Sequence, residues 1–263
     1  MTIMFFPHGG GPLPLMNHDG HANMIRFLQE FPNTVAKPDA IVVIGAHWEE
    51  PTVSITASPA PPMLYDYYGF PPETYEIKYS SPGAPALAGR IAELLRNAGV
   101  DSRLDKERGY DHSVFVPLML MYPDADIPCI EISLHDSLDA EMHVRIGKAL
   151  SSLRSENILV LGSGFSFHNM RVMLSKRGDA VDPHNEAFED WLAETLQSPD
   201  LDNAERERRL INWEESAPHA RYCHPREEHL LPLQVCYGMA GGPGKIVFDE
   251  PIVGFRATAC RWD

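Results

Sequence analysis

Two short runs along the chain are apolar without interruption. Ile41-Val42-Val43-Ile44 and Ile158-Leu159-Val160-Leu161 show no polar alternation. Such runs predict strands buried on both faces, as in the middle of an α/β sheet. Each ends in small residues, Gly45-Ala46 and Gly162-Ser163-Gly164. A third short apolar strand at 3–6 runs into Pro7-His8-Gly9-Gly10-Gly11-Pro12. Strands are also expected at 53–57, 127–134, 246–248 and 252–259, the last two joined by Asp249-Glu250-Pro251. Apolar positions at helical spacing mark 23–31, where Ile25, Phe27, Leu28 and Phe31 face inward. They also mark 86–98, with Leu87, Ile91, Leu94 and Leu95 in register and Gly99 as the stop. Further helices are expected at 140–153, 183–196, 204–213 and 227–239. Helices alternating with buried strands predict one α/β domain over 1–263, with a central, mostly parallel or mixed sheet flanked by helices. In such sheets ligands bind at the carboxyl ends of the strands, so the active site is expected there.

The segment 58–85 breaks the alternation. It is dense in proline (59, 61, 62, 71, 72, 82, 85) and tyrosine (65, 67, 68, 75, 79). A connection this long is either a functional lid or a well-packed surface loop.

A net charge of −15 argues against nucleic acid, whose phosphates need lysine and arginine, and against an anionic membrane surface. No C-x-x-C pair occurs among Cys129, Cys223, Cys236 and Cys260, so neither a disulfide framework nor a thiolate zinc site is expected. With no signal-peptide pattern and no run of transmembrane length, a reducing cytoplasm is the expected compartment.

Histidine changes the picture. There are 12, and three of them, His8, His47 and His168, lie at or just after the end of an apolar strand. His229 could join them from the helix expected at 227–239. Neutral imidazoles suit iron, zinc, copper and nickel. None of these histidines has the i, i+4 spacing of a helical H-E-x-x-H site, so spacing alone leaves a metal centre and scattered capping histidines both open. His18, His21, His135, His143, His184 and His219 lie in no motif and are expected in surface or capping roles, while His224 reads as structural or as a support behind the site. Trp48 and Phe167 read as packing. Arg221 and Arg226 are candidates for a substrate carboxylate or, more commonly, for surface ion pairs.

Six motifs then occur in order: His8-Gly9-Gly10-Gly11-Pro12; Gly45-Ala46-His47-Trp48; Tyr67-Tyr68-Gly69-Phe70-Pro71; Asp111-His112 with Val116-Pro117-Leu118; Gly162-Ser163-Gly164 with His168-Asn169; and His224-Pro225-Arg226-Glu227-Glu228-His229 running into Leu230-Leu231-Pro232-Leu233. Together they resemble the class III (LigB-type) extradiol ring-cleavage dioxygenases, nearest the branch that includes 4,5-DOPA extradiol dioxygenase. The resemblance implies a mononuclear metal held by His8, His47 and His229, with Glu228 as a reserve ligand. It implies His168 as the acid/base and His112 as a second pocket histidine. Tyr67, Tyr68 and Tyr75 would wall the aromatic ring, a role suggested by composition as well. The activity implied is Fe(II)-dependent cleavage of a DOPA-like or caffeate-like catechol by O2. Zn(II) could fill the same ligands without activating oxygen. The competing readings are a zinc-dependent hydrolase at the same histidines and a non-enzymatic metal-binding protein. A homodimer is a further possibility.

Overall fold

The computed structural model describes residues 1–175 and 181–263. Its eight strands are β1 (Thr2–Pro7), β2 (Ala40–Glu50), β3 (Val53–Thr56), β4 (Ser102–Asp105), β5 (Cys129–His135), β6 (Ile158–Gly164), β7 (Lys245–Ile252) and β8 (Phe255–Trp262). They form one mixed sheet in the order β4-β3-β5-β2-β6-β1-β8-β7. The four central strands β5-β2-β6-β1 are parallel, with Ile41 of β2 paired to Cys129 on one side and Leu159 on the other. The antiparallel pairs lie outside this block. The uninterrupted apolar runs form the buried middle, as parallel strands covered on both faces require.

The helices among the described residues are α1 (Ala22–Glu30), α2 (Pro85–Asn97), α3 (His112–Met121), α4 (Ala140–Ala149), α5 (Met170–Ser175), α6 (Pro183–Gln197), α7 (Asn203–Ile211), α8 (Trp213–Ser216), α9 (Ala220–Cys223) and α10 (Leu231–Ala240). None is long and apolar enough to cross a membrane. The architecture is therefore the expected single α/β domain.

Five local points differ from expectation. The β2 strand does not stop at Gly45 but continues through Glu50, with its register against β5 shifting between Ile44 and Glu49. Gly45 is needed because α3 presses on it: a Cβ would overlap Ser113 Oγ and lie 2.7 Å from Glu131 Oε1. The final hairpin turns at Val253-Gly254, not at Asp249-Glu250-Pro251. Both turn residues have positive φ, 50° and 82°, as a tight type I′ turn demands. Pro251 is tolerated inside β7 because β7 is an edge strand. The opposite edge strand, β4, is half exposed and was invisible to an apolar pattern. Finally, α10 begins at Leu231 with Pro232 in its first turn, so His229 lies in the turn before the helix. The expected helix at 140–153 likewise ends at Ala149 and passes into a 3-10 turn, Ser151–Ser155.

Candidate metal centre

Four elements deliver histidines to the carboxyl edge of the parallel block. His8 directly follows β1, and its N–H donates to Gly164 O at the end of β6 (3.1 Å). Gly9 and Gly11 then turn the chain away with φ of 85° and 53°. His47 sits in the late part of β2. His168 lies four residues beyond β6, and its N–H donates to Cys223 O. The turn bearing His229 rests directly on β6: Phe165 N–H donates to His229 O (2.9 Å), and a Cβ on Gly164 would overlap that same carbonyl. A fifth imidazole, His112, is the first residue of α3, whose N-terminus is capped by the Asp111 side chain accepting from Ser113 N–H.

The rings meet edge on. His47 Nε2 lies 3.1 Å from His8 Nε2 and 3.2 Å from His229 Nε2. The opposite ring nitrogens fix the tautomers. Ser163 Oγ–H donates to Ser113 O (2.5 Å), so at 3.1 Å it accepts from His8 Nδ1–H. Glu228 Oε1, an acceptor only, lies 3.0 Å from His229 Nδ1 and 3.1 Å from His168 Nδ1, so both must carry hydrogen there. Asp66 Oδ1 accepts from His112 Nδ1–H (2.8 Å) and from His112 backbone N–H (3.0 Å). His8 and His229 therefore both aim bare Nε2 lone pairs at His47. One Nε2–H on His47 can satisfy only one of them. Lone pairs brought this close, with hydrogens anchored on the far side of the His8 and His229 rings, can serve as donors to a divalent transition metal.

Electrostatics agree. Burial, then neighbouring imidazoles, hold His8 and His229 well below the ordinary histidine value and bring His47 to about 4. The rings are thus neutral and free to ligate at neutral pH. Burial pushes the carboxyls of Glu228 and Asp66 up. Hydrogen bonds from His168 and His229 outweigh it at Glu228, and those from His112 outweigh it at Asp66, so both stay ionised.

Potential ligand atoms fall into two tight groups, His8/His47/His112 and His168/Glu228/His229. The expected triad of His8, His47 and His229 spans both. The short Nε2 contacts to His47 favour that triad, because the Glu228 oxygen nearest the site is already engaged by two imidazoles. The His168 and His229 rings stack at 3.4 Å.

The aromatic wall is only partly assembled. Tyr67 is buried, its ring 6.0 Å from that of His112 and 5.3 Å from that of Tyr75. Tyr68, expected beside them, is 90% exposed and turned to solvent. Arg226 and Arg221 form ion pairs with acids of the chain, Arg226 with both oxygens of Glu49 (2.5 Å each) and Arg221 with Glu214 and Glu227. His21 and His143, expected in surface or capping roles, are fully buried, each accepting a backbone N–H, from Gly10 and His135 respectively. His224 is structural, its Nε2 bonded to Ser166 O. Asp66 was not foreseen; only its place one residue before the Tyr67-Tyr68 motif could have drawn attention to it. A cavity of about 400 Å³ lies elsewhere, beside Ala40 and Ile158 at the amino ends of β2 and β6.

The family described as the catalytic LigB subunit of aromatic ring-opening dioxygenase matches residues 6–258. Dioxygenase tasH of Hapsidospora irregularis is 39% identical over 93% of this chain and 79% of its own length. The 4,5-DOPA dioxygenase extradiol of Beta vulgaris is 38% identical over 92% of this chain and 87% of its own. The Escherichia coli K12 protein of that name is 34% identical over 97% and 90%. The crystal structure of uncharacterized protein JW3007 from Escherichia coli K12 superposes with a TM-score of 0.77 at 29% identity, covering all of both chains.

Proposed function

The chain belongs to the LigB family of aromatic ring-opening dioxygenases, and on that premise we propose that it is an Fe(II)-dependent extradiol dioxygenase for a side-chain-bearing catechol. The carrying observation is the convergence of His8 and His229 on His47, their Nε2 atoms 3.1 and 3.2 Å from His47 Nε2, with the Nδ1–H of His8 and of His229 anchored outside. Those three would hold the metal. Fe(II), when bound, would supply the redox chemistry that an aromatic ring needs to react with O2. His168, with Nδ1–H held by Glu228, presents Nε2 as the base that takes a catechol proton and later returns it. His112 is a second imidazole beside the ring. Tyr67 and Tyr75 form one wall; burial pushes the Tyr67 phenol up to about 12, so it stays neutral, its hydroxyl donating to Thr74 O. A DOPA-like substrate is supported by the names of the relatives from Beta vulgaris and Escherichia coli. Four buried free cysteines support a reducing cytoplasm as its compartment.

Anaerobic reconstitution with Fe(II), followed by L-DOPA, caffeate or simple catechols in air, tests the reading. Oxygen uptake with a yellow ring-fission semialdehyde is expected. No uptake with any of these catechols at full iron loading would overturn it.

A further inference from the structure

Asp66 lies in the proline- and tyrosine-rich segment. The residue as a whole is open to solvent, yet its side chain is only 17% exposed, so the carboxylate is turned inward. It meets His112 twice through one oxygen: Oδ1 accepts from the ring Nδ1–H at 2.8 Å and from the backbone N–H at 3.0 Å. That backbone N–H is the first of α3 and has no partner within the helix, and a carboxylate at a helix N-terminus is electrostatically favoured. The second oxygen, Oδ2, stands 3.7 Å from His47 Nδ1. The next residue, Tyr67, places its ring against His112. One side chain therefore ties the long loop to the first turn of α3 and to the centre.

We propose that Asp66 is a positioning residue that locks His112 in the Nδ1–H tautomer, so that His112 acts on substrate as a proton acceptor at Nε2. The inference rests on the dioxygenase reading for its substrate, a catechol, and assigns His112 a direction that reading leaves open. A neutral imidazole offers one donor and one acceptor. Asp66 consumes the donor. A catechol hydroxyl facing His112 can then lose its proton to Nε2: the O–H bond breaks, its electron pair stays on oxygen, and an N–H bond forms. The resulting imidazolium lies hydrogen-bonded to the Asp66 carboxylate, which compensates its charge. His168, held by Glu228, has the same polarity. Both imidazoles therefore offer Nε2 as an acceptor, matching in number the two hydroxyls of a catechol. Without Asp66, the Nδ1–H would lose its partner and the proton would move to Nε2, making His112 a donor.

The direct test is the long-range ¹H–¹⁵N spectrum of histidine-labelled full-length protein, metal-free and Zn(II)-loaded. Wild type should show His112 protonated at Nδ1; protonation at Nε2 overturns the proposal without any variant. In Asp66→Ala the proton should move to Nε2. With Fe(II) and L-DOPA, kcat should fall about 100-fold or more, while KM changes less and Zn(II) loading persists. An unaltered tautomer in Asp66→Ala, or an altered one with wild-type kcat, overturns it. If Asp66→Ala does not fold, the isosteric Asp66→Asn keeps an acceptor for the loop but removes the charge. Its kcat should still fall, and a wild-type kcat would overturn the proposal. A wild type inactive on every catechol would sink the dioxygenase reading, whereas the tautomer measurement stands apart from it.

Discussion

The centre has two arms, and they are not equivalent. In one, Glu228 Oε1 binds both His229 and His168, at 3.0 and 3.1 Å, and the two rings stack at 3.4 Å. In the other, Asp66 binds His112 at 2.8 Å but stays 3.7 Å from His47, and the rings of His47 and His112 meet at 4.0 Å with a 50° tilt. The Glu228 arm is braced: Arg226 lies 3.5 Å from Glu228 and grips Glu49, which belongs to the strand carrying His47. The Asp66 arm depends on a long loop. One carboxylate holds the imidazoles proposed as a ligand and as the acid/base, on elements tied to the sheet. The other bonds His112 and only approaches His47, at 3.7 Å.

Removing a ligand should have the largest effect. His47→Ala and His229→Ala should each lose bound metal, and with it turnover, as elemental analysis after desalting would show; either variant retaining stoichiometric iron would remove that residue from the ligand set. Next comes His168→Ala, which should keep its metal and lose about 10²–10⁴-fold in kcat. Metal lost along with activity would instead make His168 a ligand and merge the two roles of the Glu228 arm. The asymmetry itself is sharpened by Glu228→Gln, expected to cost about 10–100-fold in metal affinity because Glu228 orients a ligand. Titration calorimetry with Zn(II) should find a smaller loss in Asp66→Ala. Equal losses would make the arms equivalent.

A third buried carboxyl shows what the imidazoles accomplish. Glu189 is fully buried without such a partner, and burial pushes it up to about 8. Its folded value exceeds the unfolded one, near 4.5. Its contribution to stability is therefore complete below about 4.5 and is lost as pH rises through about 8. Glu189→Gln should remove that decline, raising Tm relative to wild type at pH 9 and narrowing the gap at pH 5. A pH-independent difference would show that Glu189 does not titrate on folding in this range.

Much of this arrangement is readable in the chain. Uninterrupted apolar runs locate β2 and β6 because a strand covered on both faces cannot hide polar residues, and His8, His47 and His168 each come a few residues after such a run. The placement of His229 on a helix failed, although Pro232 marks where the helix starts, since proline belongs in a first turn. The late hairpin was misplaced because Asp249-Glu250-Pro251 has turn composition but lies on an edge strand, where those residues are harmless. Asp66 was illegible for a different reason. Its role depends on a loop crossing to α3, 46 residues away in the chain, and no local periodicity encodes such a contact. The burial of His21 and His143 has the same origin, since each fills a slot defined by backbone donors of another segment.

In this reading three imidazoles hold the metal while His168 and His112 stand free to handle protons. An anaerobic crystal structure of the Fe(II)-loaded protein, with the metal located by anomalous scattering at the iron edge, tests it most directly. One peak bonded to the Nε2 atoms of His8, His47 and His229, with Glu228 and Asp66 still on the far nitrogens, is the predicted result. A peak bonded to Glu228 or His168, or one among His8, His47 and His112 without His229, would contradict it.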